Sequence, residues 1–109
     1  MERFVKGDVV VVPFPFSDLT GAKRRPALVL AELDGEDRIL CQITSQQFED
    51  RYAVALNEFD FEGSLRKISN IRPNRIFTAD GKIIQYKAGH IKSDKIDEVL
   101  KKIITILSN

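Results

Sequence analysis

A chain of 109 residues with 17 Lys or Arg against 16 Asp or Glu has a net charge of +1, which suffices for one domain with a single core and excludes a uniformly basic surface for nucleic acid. One cysteine, Cys41, and one histidine, His90, exclude an internal disulfide and a zinc centre built from Cys and His clusters. The apolar run Val9–Val12 is far too short to span a bilayer, and the N-terminus lacks a basic start followed by a long apolar stretch, so a cytoplasmic protein without a membrane partner is expected.

In chain order, Gly7-Asp8 leads into Val9-Val10-Val11-Val12, a β-branched run that ends at Pro13 and reads as a buried strand. Residues 13–25 read as a long loop with Pro13, Pro15 and Gly21, and loops of that length in a compact domain tend to carry function. Residues 26–30 are a second strand, Asp34-Gly35 a turn, residues 38–43 a third strand and residues 52–56 a short fourth. Residues 57–70 are polar and irregular and read as loop. Residues 76–79 and 83–86 flank Asp80-Gly81 and predict a hairpin. Beyond Gly89, Ser93 or Asp94 can cap a helix, in which Ile96, Val99, Leu100, Ile103, Ile106 and Leu107 recur at helical spacing and must pack on the sheet. Short strands closed by one terminal helix predict a mainly β fold, a strongly bent sheet closed or half closed as in SH3-like barrels, forming one domain over residues 1–109.

The charges are unevenly placed. Residues 21–31 hold Lys23, Arg24 and Arg25 without an acid, and residues 63–77 hold Arg66, Lys67, Arg72 and Arg75 without an acid. Together they could form one local phosphate-binding patch on a neutral protein, although charge clusters alone favour solvated loop charge. Arg25 precedes Pro26 and Arg72 precedes Pro73. A following proline restricts each arginine to extended backbone and fixes where its guanidinium begins. Such a group can clamp a phosphate or form an ordinary salt bridge. Thr44, Ser45 and Gln46 close the third strand, where hydroxyls and an amide can reach phosphate oxygens or simply end the strand. Phe14 and Phe16 could stack on bases or pack beneath their loop. Cys41 should be buried and inert, and His90 packed or solvent-facing.

Taken together, these segments resemble the MazF/PemK family of toxin endoribonucleases. Gly7-Asp8-Val9-Val10 is similar to that family's first strand, residues 14–21 to its first loop, residues 23–30 to its Arg-Pro strand, and Ile43-Thr44-Ser45-Gln46 to its strand-end motif. Arg72-Pro73-Asn74-Arg75-Ile76-Phe77 and the terminal helix fall where the family has its next strand and closing helix. The resemblance implies an SH3-like toxin barrel of the MazF/PemK/CcdB type, paired as a homodimer, that cleaves single-stranded RNA (mRNA) without a metal or other cofactor and is silenced by a cognate antitoxin protein. It implies catalytic roles for Arg25, Thr44 and Arg72, and RNA-binding roles for Lys23, Arg24, Ser45, Gln46, Phe16, Asn74 and Arg75. Some members pair the arginine at the Arg72 position with an acid two residues later, where this chain has Asn74, so the proton acceptor is left unassigned. Two other readings stand beside this one. A gyrase-directed toxin of the same fold would depend on a terminal tryptophan, and this chain has no Trp. A non-catalytic SH3-like binding module would account for the barrel but not for three phosphate-directed side chains.

Overall fold

Asp8–Phe14 forms strand β1, Lys23–Glu32 β2, Asp37–Thr44 β3, Val54–Leu56 β4, Phe61–Gly63 β5, Ser69–Asp80 β6 and Tyr86–Ile91 β7, and Ser93–Ser108 forms the helix α1. The computed structural model describes residues 3–14, 23–45, 51–63 and 69–109. All strand pairs are antiparallel and give one sheet in the order β4-β6-β3-β2-β1-β7-β5. The two outermost strands, β4 and β5, are joined by a single 3₁₀ turn, Glu58–Asp60, so the sheet curls back on itself into a nearly closed barrel. No helix among the described residues is long and apolar enough to cross a membrane.

Alternation along the strands divides the core in two. Val9, Leu28, Leu30, Cys41, Ile43, Ile71 and Ile91 face inward with β4, β5 and Val99 of α1. Val10, Val12, Ala27, Val29 and Leu40 point to the other face, where Phe4, Phe77, Ala79 and Ile84 cover them. Central strands with both faces buried explain why β1 and β2 read as continuous apolar runs. Gly7 enters β1 with a φ of 94°, a conformation that suits glycine. A Cβ there would come within 2.6 Å of Ile96 Cδ1 and 2.8 Å of His90 Cε1.

Five expectations are corrected. Of the loop predicted over residues 13–25, residues 13, 14 and 23–25 lie in strands, because β1 and β2 pair through Pro13↔Arg24 and Phe14↔Lys23, and residues 15–22 lie outside the described residues. The strand over 52–56 is shortened to Val54–Leu56. The loop over 57–70 contains the 3₁₀ turn, β5 and the start of β6, elements too short to show a periodicity. The hairpin after residue 76 does not form. Asp80 accepts a bond of 2.9 Å from the Lys82 N–H and Gly81 donates one of 2.9 Å to the Glu36 carbonyl, so the turn carries the chain over the sheet end. Hence β6 pairs with β3 while β7 pairs with β1 on the far side. Finally, α1 has Lys92 at its N-cap without a side-chain cap bond, so neither Ser93 nor Asp94 serves as the cap. Its stripe also outruns the sheet: Val99 is fully buried, whereas Leu107 is 75% exposed.

Candidate RNA-cleavage site

Arg25 lies in β2, paired with Val12 of β1. Pro26 cannot donate to a ladder, and the β2–β3 pairs begin only after it, at Ala27↔Gln42. Continuing that register sets Arg25 across from Thr44, the last residue of β3, and Thr44 in turn pairs with Asn70 of β6. Arg25 is two residues from Ala27 and Thr44 four from Leu40, so both belong to the face that Ala27 and Leu40 share.

Arg72 lies at a bulge in β6. Cys41 pairs with Ile76 and Ile43 with Ile71, so Gln42 alone opposes Arg72, Pro73, Asn74 and Arg75. A bulge is where a strand accepts a proline, and it re-aims the side chains that follow. Ile71 belongs to the inner cluster and pairs with Ile43, and Arg72 follows it as the first residue of the bulge. Adjacent strands lie about 4.8 Å apart. Arg25, Thr44 and Arg72 occupy the neighbouring strands β2, β3 and β6.

Thr44 is buried and Arg72 half-buried, and both are engaged by other groups of the chain. Among the described residues, Arg25 and Arg75 form no ion pair. Ser45, Asn74 and Arg75 are exposed at the same end of the sheet. Arg24 alternates with Arg25 and points to the opposite face, so the two do not share one patch. Lys23 pairs with Phe14 at the start of β2, and its side chain, like Phe16 and Gln46, lies outside the described residues. Cys41 is buried, and desolvation pushes its thiol up to about 12, as an inert core residue requires.

One polar cluster has only a faint signature in sequence. Asp8 is buried, its Oδ2 accepts the Val5 N–H at 2.8 Å, and its Oδ1 lies 2.8 Å from His90 Nδ1 and 3.4 Å from Lys87 Nζ. An acid directly before a β-branched run was the available signal. Four residues of β1, roughly 13 Å, separate it from the level of Arg25, so it ties β1 to β7 and takes no part in the site.

The family model for PemK-like, MazF-like toxins of type II toxin–antitoxin systems matches residues 5–107. The chain belongs to that family. A search of curated protein sequences finds no match. Among solved structures, MazF from Deinococcus radiodurans superposes with a TM-score of 0.79 at 20% identity, covering 100% of both chains. The MazE–MazF complex of that organism gives a TM-score of 0.76 at 20% identity over 98% of this chain and 97% of that one. The Mycobacterium tuberculosis toxin MazF-mt6 gives 0.74 at 12% identity over 93% and 96%. At such identities the likeness establishes a MazF-type barrel, and the site's chemistry must come from its own residues.

Proposed function

We propose that this MazF/PemK-family toxin is a metal-independent endoribonuclease that cuts single-stranded RNA in the cytoplasm, works as a homodimer and is held inactive by a cognate antitoxin. The observation that supports the reading is the placement of Arg25, Thr44 and Arg72 on three adjacent strands, β2, β3 and β6. The solved MazE–MazF complexes, and a mycobacterial endoribonuclease in complex with its cognate antitoxin, support an antitoxin partner.

RNA carries its own nucleophile beside the scissile phosphorus, so proximity is supplied by the substrate. The 2′-oxygen forms a bond to phosphorus and loses its proton, while the P–O5′ bond breaks and the 5′-oxygen takes a proton. Negative charge grows on the non-bridging oxygens. Arg25 and Arg72 stabilise that charge, and the Thr44 hydroxyl orients the phosphate. The products carry a 2′,3′-cyclic phosphate, or the 3′-phosphate formed when water opens it, and a 5′-OH, and DNA is not a substrate. Asn74 cannot accept a proton at neutral pH, so turnover is modest.

Labelled single-stranded RNA incubated with the toxin in EDTA tests the reading. Cleavage with 5′-OH ends is expected. Activity that requires added magnesium, fragments with 5′-phosphate, or cutting at a 2′-deoxy position would each overturn it.

A further inference from the structure

The pairing of β3 sets Gln42 apart on both sides. Toward β6, every residue from Asp37 to Cys41 has a partner, and so do Ile43 and Thr44, but Gln42 has none, because residues 72–75 form the bulge opposite it. Toward β2 its partner is Ala27, which carries only a methyl group. The cross-strand side chains that would flank Gln42 in a regular ladder are therefore missing on one side and minimal on the other. Its face is fixed by its neighbours. Cys41 and Ile43 belong to the inner cluster and Leu40 to the outer one, so Gln42 lies on the outer face with Ala27 and Thr44. Arg25 and Thr44 each stand two residues along their strands from the Ala27–Gln42 pair, about 7 Å away. Gln42 is half-buried, and among the described residues its amide makes no hydrogen bond.

We infer that Gln42 is a specificity-determining residue that reads the base of a nucleotide whose phosphate is held at Arg25 and Thr44, a role that rests on the proposed RNA cleavage. The outer face changes character at Gln42. On one side of it are a guanidinium and a hydroxyl, Arg25 and Thr44, and on the other are the buried apolar residues Val29 and Leu40. A nucleotide has the same polarity, with an anionic phosphate at one end and a flat, neutral base at the other. The order of groups along β2 and β3 matches it. A carboxamide has two N–H donors and a carbonyl acceptor and can bond a base edge in two places, whereas a phosphate presents acceptors only. A half-buried side chain rooted in a strand also has little freedom left to lose on binding, which favours discrimination.

The test uses short labelled RNAs with one cut site and each of the four bases on either side of it, read by cleavage and by equilibrium binding. Wild-type toxin should prefer one base at one of these positions. Gln42→Ala should lower cleavage and binding of the RNA with the favoured base on the order of 10-fold and leave the other RNAs near their wild-type values. Gln42→Glu keeps the shape and the acceptor, loses the donors, and should favour a different base. Preference is a ratio within one preparation, so a smaller folded fraction in a variant cancels out of it. Both variants retaining the wild-type preference would overturn the assignment. An equal loss for all four bases would also overturn it, since that marks a phosphate contact or a structural role. Wild-type toxin that binds these RNAs but cuts none of them would overturn the cleavage reading instead, and the binding ratios of wild type and variants would still decide whether Gln42 selects a base.

Discussion

Arg25 is presented by a strand and restricted by the proline that follows it, and among the described residues no acid neutralises it. Removing one positioned charge stabiliser lowers a rate on the order of 100- to 1000-fold. Arg25→Ala should therefore depress RNA cleavage by that factor while the thermal midpoint stays near wild type, and cleavage at the wild-type rate would remove Arg25 from the mechanism. Asp8 is the converse case. Its carboxylate is buried and serves Val5, Lys87 and His90, so Asp8→Ala should lower unfolding stability by roughly 1–3 kcal/mol without altering the rate of RNA cleavage by the folded protein, as denaturant titration and a cleavage assay can show. Cys41 gives a pH signature. Its thiol stays protonated in the fold up to about 12, while the unfolded chain releases the proton in the ordinary thiol range. The native state then binds more protons than the unfolded one, and stability falls as pH rises above about 9. Cys41→Ala should flatten that alkaline decline; an identical slope in both proteins would refute the assignment. At this scale the end of β3 near Thr44 was legible because strand-end hydroxyls are local signals, whereas the roles of Arg25, Thr44 and Arg72 come from the family resemblance and are proposals. The Asp8–His90 pair was not legible, since its members are 82 residues apart in sequence.

Between the elements, the sequence marked the strands more readily than their partners. The apolar runs of β1, β2 and β3 and the spacing of α1 are periodic, and each appears in the fold. The order β4-β6-β3-β2-β1-β7-β5 is set instead by long-range pairing, which no local pattern reports. The Asp80-Gly81 signal shows the difference: it does make a turn, yet the strands it joins lie on opposite sides of the three central strands. The bulge at Arg72–Arg75 was equally hidden, because it exists only relative to Gln42 on the neighbouring strand. Packing of α1 was foreseeable and can be measured. Val99 is fully buried in the inner cluster with Ile96, Leu100 and Ile103 packed around it. Val99→Ala removes two methyl groups from a closed site and should destabilise the toxin by about 2 kcal/mol. A loss below a few tenths of a kcal/mol in chemical denaturation would show that the helix is not held there.

For the whole molecule, the point at issue is what covers the end of α1. Leu107 lies four residues after Ile103 and eight after Val99, so it continues the same stripe that packs on the barrel. It is nevertheless 75% exposed, and Ile104 beside it is 62% exposed. The helix carries an apolar surface that is not buried among the described residues. Single exposed apolar residues are ordinary, but a stripe that continues past the edge of its core is a surface shaped for association. The homodimer proposed for this toxin supplies an occupant of matching chemistry, since a two-fold pair would bring the same surface from each protomer to one contact. Burial on pairing links folding to concentration, because only the folded state associates. Wild-type protein should therefore have twice the chain mass in light scattering, and its thermal midpoint should rise with protein concentration. Leu107→Lys combined with Ile104→Lys places two charges on that surface without touching the inner cluster. The double variant should be monomeric, with a midpoint that no longer depends on concentration. A variant that remains a dimer at micromolar concentration would show that this surface of α1 lies outside the interface.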